Sequence, residues 1–166
     1  IRDAQHLLKV MDGETGDMLA QELQKYGFIK LGYCYSGSRN LFCRRPVRSA
    51  DKLQGLKIGT AGGNKILTSI GEAFGATVIP MSPNDIQPAL LKGRVDAVEG
   101  TIINYKAMKL YEVAPYLVKI MYTFDWHNFL MSGATWEELS EKEKQDVLGA
   151  ARSAQDHERT LYVKTE

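Results

Sequence analysis

The sequence predicts an α/β fold with a parallel sheet at its centre. Two observations carry that reading. Residues 56–100 alternate short apolar runs with helical stripes, β-α-β-α-β, through brief connections, a pattern that calls for parallel strands with right-handed crossovers. The 166 residues are 44% hydrophobic and 25% charged, the balance of a soluble globular chain long enough to bury a core.

The elements follow in order. Asp3 is placed to cap a first helix whose Leu7, Leu8 and Met11 share one face, with Gly13 closing it. Thr15 is the expected cap of a second helix carrying Met18, Leu19 and Leu23 and stopping at Gly27. "FIKLGYCY" reads as a strand through its aromatic and β-branched residues, "SGSRN" as a turn, and "LFC" as a return to strand. "RRPVRSADKLQG" is a connection with a short helical piece.

From Leu56 the pattern is regular. "LKIGT" is a strand, "AGGN" a loop, and Ile66, Leu67, Ile70 and Phe74 form a helical stripe ended by Gly75. After the strand "TVIPM", the next helix is expected to take Asn84 as its cap. A start at Ser82 would put Pro88 deeper, where the ring clash costs about 3 kcal/mol. Gly93 ends that helix and "RVDAVEG" is the third strand. "TIINYKAMKLYEVA" reads as one helix up to Pro115, followed by strands "YLVKIMYTF" and "HNFLMSG" with "DW" between them. Thr135–Glu138 and Ser140–Glu143 both match the capping box. The second opens a long polar helix with Val147, Ala151, Ala154 and Leu161 facing inward. Its charged face carries too many acids for a basic membrane helix.

Charge and motifs exclude several functions. A net charge of +1 is no footprint for nucleic acid. The local cluster Arg39, Arg44, Arg45 and Arg48 is either a solvated loop or an anion site. No apolar stretch approaches the roughly 20 residues that span a bilayer. The chain starts at Ile1 without Met and ends at Glu166 inside a helical pattern, as a fragment would. Cys34 and Cys43, flanking the "SGS" turn, are either a hairpin bridge in an oxidising compartment or buried thiols. They lack zinc spacing, and His6, His127 and His157 are scattered, so no metal site is expected.

"GLKIGTAGGNK" raises the question of a phosphate loop. A Walker loop requires G-x-x-x-x-G-K-[ST]. Here Asn64 separates Gly63 from Lys65, and Ile66 stands where the hydroxyl should be. The dinucleotide order G-x-G-x-x-G fails as well. What remains is either a tight strand-to-helix turn or a loop whose bare amides meet an anionic or polar ligand at the carboxyl ends of parallel strands. No G-x-S-x-G elbow or H-E-x-x-H is present. Cys43 with His127 is a pairing of the kind any chain this size offers. Asp96 and Glu99, on one strand, are not an evident acid–base pair.

Read in order, the motifs resemble the solute-binding proteins of tripartite ATP-independent periplasmic (TRAP) transporters. "GYCYSGSRNLFCRRPVRSADKLQGLKI", "GEAFGATVIPMSPNDIQPALLKGRVDAVEG", "KLYEVAPYL" and "SEKEKQDVLGAARSA" are similar to successive family segments, and the likeness covers nearly the whole chain. The resemblance implies a two-lobed, periplasmic binding protein type II-like α/β fold with hinge strands and an incomplete first lobe. Residues 1–36 and 125–166 would belong to lobe 1 with the long helix as a brace, and 37–124 would form the core of lobe 2. It also implies a receptor rather than an enzyme, with no cofactor. Such a receptor traps a small carboxylated metabolite by hinge closure and delivers it to membrane permease subunits. The alternative from another class is a ligand-sensing regulatory domain or an enzyme built on such a lobe.

Family members commonly grip an acid with an arginine that closes the "G-L-K-I-R" strand. The matching position here is Gly59, while the arginine of the family's G-x-R segment is present as Arg39. Gly100 and Thr101 replace the family's Asn-Pro. The resemblance thus nominates Arg39 as the leading ligand contact, a planar fork suited to a carboxylate. Gly59, Gly62 and Gly100 are nominated as points of backbone approach, and Glu99 as a residue that orients Arg39 or meets a cationic group. Trp126 is nominated as an apolar wall, and His127 and Asn128 as hydrogen-bonding groups. Pro83 and Asn104 are weaker candidates. A Cys34–Cys43 disulfide would suit the periplasmic setting the resemblance implies.

Overall fold

The computed structural model describes residues 1–63 and 65–163, and the chain divides into two units, Ile1–Gly37 with Thr123–Glu166 and Ser38–Tyr122. Asn64 of the glycine loop and the terminal residues 164–166 lie outside the described residues.

The first unit opens with helix α1 (Ala4–Met11), capped as expected by Asp3, whose carboxylate accepts from His6 N–H at 2.7 Å. Helix α2 (Glu14–Lys25) starts two residues earlier than the sequence suggests: Gly13, not Thr15, is its cap. The two helices pack closely, with Gly16 against the Met11 carbonyl, where a Cβ would collide with backbone. Met18 and Leu19 are exposed rather than packed. After Gly27, at a φ of 80°, the chain enters strand β1 (Phe28–Cys43). Strand β6 (Phe124–Ser132) pairs with it, and "DW" lies inside β6 instead of breaking it.

Helix α6 (Gly133–Glu138) is entered from Ser132, so Thr135 is interior and not a cap. Helix α7 (Glu141–Val163) does begin with the expected box, Ser140 N–H donating to Glu143 at 2.8 Å and Glu143 N–H to Ser140 Oγ at 3.3 Å. Its inward face differs from the apolar stripe. Ala154 and Leu161 are exposed, Leu161 by 53%. The contacts are polar instead: Gln155 accepts from Tyr33 N–H at 2.8 Å and Glu158 from Tyr35 N–H at 3.2 Å. Arg159 forks onto Asp12 at 2.6 and 2.9 Å and donates to the Tyr33 hydroxyl at 2.6 Å. These bonds rotate the helix away from the face that hydrophobicity alone would choose.

The second unit contains the predicted β-α-β-α-β run: β2 (Lys57–Ala61), α3 (Lys65–Ala73), β3 (Thr77–Met81), α4 (Pro83–Leu91) and β4 (Ala97–Thr101). Here β2 pairs in parallel with both β3 and β4. The 39–43 end of β1 adds antiparallel to β4, and the three-residue strand β5 (Tyr116–Val118) adds to β1. The strand order is β3-β2-β4-β1-β5.

"SGSRN" is therefore not a turn. It lies within β1, and Cys34 and Cys43 are free thiols on that one strand, so the hairpin that would have bridged them does not exist. Burial pushes the Cys43 thiol up to about 11, with the Asp96 charge adding to the effect.

Helix α4 is capped by Ser82, not Asn84, with Pro83 at its first position and Pro88 inside it. The preset φ of Pro83 favours that earlier start, and the helix tolerates the missing Pro88 N–H. The expected long helix before Pro115 is only α5 (Ile102–Ala107), because Lys109 adopts a left-handed φ of 50° and a short 3-10 turn follows. Met121, at 53°, likewise ends the strand reading of "YLVKIMYTF". On α3 (Lys65–Ala73), Ile66 is 68% exposed, while Leu67 and Ile70, with Phe74 just past the helix end, line an inner apolar cavity.

Strand periodicity sorts the core onto the two sheet faces. Leu41, Cys43, Ile58 and Ala97 cluster on one. Phe42 and Val98 cluster on the other, with Ile86, Leu90 and Leu110, and Tyr105 stacks on Phe42 at 4.1 Å between centroids.

Candidate functional site

The register of the second unit's sheet brings four polar side chains together. Arg39 is paired with Thr101 and Leu41 with Glu99 across β1–β4, so Arg39 and Glu99 are diagonal neighbours on one face, within reach of long side chains. Thr60 on β2 is two residues beyond Ile58 and shares that face. Tyr122 reaches in from the segment after β5.

The other three converge on the Glu99 carboxylate. Arg39 Nε donates to Oε2 and Nη2 to Oε1, both at 2.7 Å. Thr60 Oγ1 donates to Oε1 and the Tyr122 hydroxyl to Oε2, both at 2.6 Å. Side-chain exposure is 4% for Glu99 and 15% for Arg39. A planar fork meeting a carboxylate in two parallel bonds is the strongest common ion-pair geometry. Two hydroxyl donors complete Glu99's acceptor capacity, which leaves it no lone pair for a cationic group. Its role is to fix the guanidinium. Burial, then the Glu99 charge and hydrogen bond, push the Tyr122 phenol well above the tyrosine range, so it stays a donor. Neither Thr60 nor Tyr122 was singled out from sequence; their separation along the chain gives no local signal, and only the strand register reveals them.

The other candidates are placed differently. Gly59 stands opposite Val98 and Ile79 and its missing side chain would point to the Phe42–Val98 face, away from Arg39. A Cβ there would stand 3.0 Å from Met81 Cε and 3.1 Å from Val98 Cγ1, so that space is already filled. Gly100 faces the same way, with Phe42 3.7 Å from a notional Cβ. Gly62, at a φ of 76°, has open space beside it and donates its N–H to the Met81 carbonyl at 3.0 Å. Pro83 begins α4 and Asn104 lies in α5, its N–H donating to Thr101 Oγ1 at 3.4 Å. In the first unit, Trp126, His127 and Asn128 are exposed on β6, with His127 Nε2 3.1 Å from Ser36 Oγ.

Beside Glu99 and Tyr122, on the Arg39 face, lies a small apolar cavity of about 20 Å³ walled by Leu41, Ile58, Ile70 and Val78. Among the described residues no group of three or more His, Cys, Asp or Glu is arranged to hold a metal, and no helix is long and apolar enough to cross a membrane.

This fold is that of bacterial solute-binding proteins. It superposes on the TRAP periplasmic solute-binding protein of Chromohalobacter salexigens, solved with bound D-glucuronate, with a TM-score of 0.91 and 28% identity over 99% of this chain and 55% of that one. All of residues 1–166 match the family model described as bacterial extracellular solute-binding protein, family 7, and the chain belongs to that family. Among curated relatives, a solute-binding protein of Chromohalobacter salexigens is 32% identical over 94% of this chain and 46% of its own length. The sialic acid-binding periplasmic protein of Vibrio cholerae is 29% identical over 99% of this chain and 51% of its own. The chain thus spans about half the length of the relatives it matches. The family is one of binding proteins rather than enzymes, which sets aside the catalytic alternative.

Proposed function

We propose that this chain is part of a periplasmic receptor that binds a small carboxylated metabolite without chemical change and passes it to the membrane subunits of a TRAP-type transporter. One observation supports this most: the Arg39 guanidinium, held in a fixed plane by Glu99 at 2.7 Å, at the carboxyl ends of β2 and β4, where open α/β sheets receive ligands. An arginine already oriented loses little freedom when it meets a second carboxylate. Relatives whose names record sialic acid or D-glucuronate point to an acid sugar as the chemical class. In this reading residues 1–36 and 125–166 belong to one lobe, braced by α7, and 37–124 to the other. Gly62 is proposed as a further backbone contact of the second unit, and Trp126, His127 and Asn128, exposed on β6, as the first unit's own candidates for ligand contact.

The test is a melting-temperature screen of the intact protein against uronates, aldonates and sialic acid, each beside its neutral parent sugar. Acid sugars are expected to raise the melting temperature with concentration, following mass action, and neutral sugars to leave it unchanged. No shift from any acid at millimolar levels would overturn the proposal.

A further inference from the structure

A second cluster of cations in the Ser38–Tyr122 unit is untouched by the reading above. Strand β1 ends at Cys43, and the next two residues are Arg44 and Arg45. They line a cavity of about 100 Å³ with Cys43, Val47, Leu56 and Asp96. By strand rise it lies roughly 16 Å from Arg39, at the other end of the sheet. Arg44 is folded over the turn after α4: its Nη1 is 3.0 Å from where a Cβ on Gly93 would be, between the exposed Lys92 and Arg94. Lys57 begins the neighbouring strand, and Arg48 follows Val47. Arg44, Arg45, Arg48, Lys57, Lys92 and Arg94 form no ion pair with any described residue. In a chain whose net charge is only +1, this is a strong local surplus.

Asp96 decides the chemistry of the guest. Its Oδ2 accepts from Lys57 N–H at 3.0 Å, and its carboxylate lines the same cavity. A carboxylate beside an anion repels a guest with only acceptor oxygens, but it accepts a hydrogen bond from one that retains an O–H. Two guanidinium forks suit a tetrahedral oxyanion, and Val47 and Leu56 wall the cavity beside them. We propose that this cavity is a binding site for hydrogen phosphate: a tetrahedral dianion that keeps one proton at neutral pH, donating to Asp96 while Arg44 and Arg45 take its other oxygens.

The choice of guest makes the test sharp, because sulfate has the same shape and charge without the proton, and a phosphate monoester dianion lacks it too. Titration calorimetry on the intact protein at pH 7.5 and constant ionic strength would compare inorganic phosphate, sulfate and methyl phosphate. Phosphate is expected to bind saturably, with sulfate and methyl phosphate at least tenfold weaker. Arg44→Gln/Arg45→Gln, both at exposed positions, should abolish phosphate binding. Asp96→Asn, which keeps an acceptor for Lys57 N–H, should bring sulfate level with phosphate. Equal binding of phosphate and sulfate to the wild type, or phosphate binding that survives the double arginine change, would overturn the assignment. Acid-sugar binding, which rests on Arg39, should be unaffected by both variants.

Discussion

The candidate site is built around a carboxylate that does not itself face a ligand. Glu99 is 4% exposed and takes four hydrogen bonds from three side chains. Removing one partner of a buried ion pair is strongly destabilising, so Glu99→Gln should destabilise the protein by about 3 kcal/mol, read as a fall in urea midpoint with unchanged slope. Tyr122 gives a pH signature. Its folded pKa is raised, chiefly by burial and then by Glu99, so its contribution is complete below about pH 10, the ordinary tyrosine value. It is lost as pH rises above that, when the unfolded phenol ionises first. Tyr122→Phe should lower stability by about 1 kcal/mol at pH 8 and flatten the decline between pH 9.5 and 11 in denaturation series. Equal slopes in the two proteins would contradict this placing of the phenol. Arg39 and Glu99 are legible in the sequence because each sits in a recognisable motif. Thr60 and Tyr122 are not, since what joins them is cross-strand register rather than spacing.

At the scale of elements, the β-α-β-α-β run reads directly because its periodicity and turn residues agree. The misreadings fall where tertiary contacts override local preference. "SGSRN" has turn composition, yet Ser38 and Asn40 are buried, Asn40 bonding the Ser38 carbonyl and accepting from Met121 N–H. Met121 lies far outside the stretch, so nothing local announces a strand. On α7 the inward face is set by Gln155, Glu158 and Arg159, polar residues that a hydrophobic stripe cannot identify. Glu158 is the weak point there: Oε1 is buried without a hydrogen-bond partner, and burial pushes its carboxyl pKa up. A raised pKa means the group stabilises most below the ordinary glutamate value and less as pH rises through its folded value. Glu158→Gln keeps an acceptor for Tyr35 N–H and removes the charge. It should therefore raise the melting temperature at pH 7.5, with the gain shrinking toward pH 4. A variant less stable than wild type at both pH values would contradict the assignment.

For the whole molecule, the order of four loose motifs is more informative than any one of them, and it points to the family that the match over residues 1–166 establishes. The family's usual carboxylate arginine is absent at Gly59, whose side of the strand is occupied by Met81 and Val98. That side of the strand therefore has no room for a ligand group, and the proposed function assigns recognition of the acid to Arg39. The most direct measurement is titration calorimetry of an acid-sugar ligand into the intact protein and its Arg39→Lys variant, with the solute recovered and checked for chemical change. Lysine keeps the charge beside Glu99 but loses the fork. Charge-assisted hydrogen bonds of about 1.5–3 kcal/mol correspond to a loss of roughly tenfold to a hundredfold in affinity, with the solute returned intact. Undiminished affinity in the lysine variant, or a solute that comes back altered, would contradict the account.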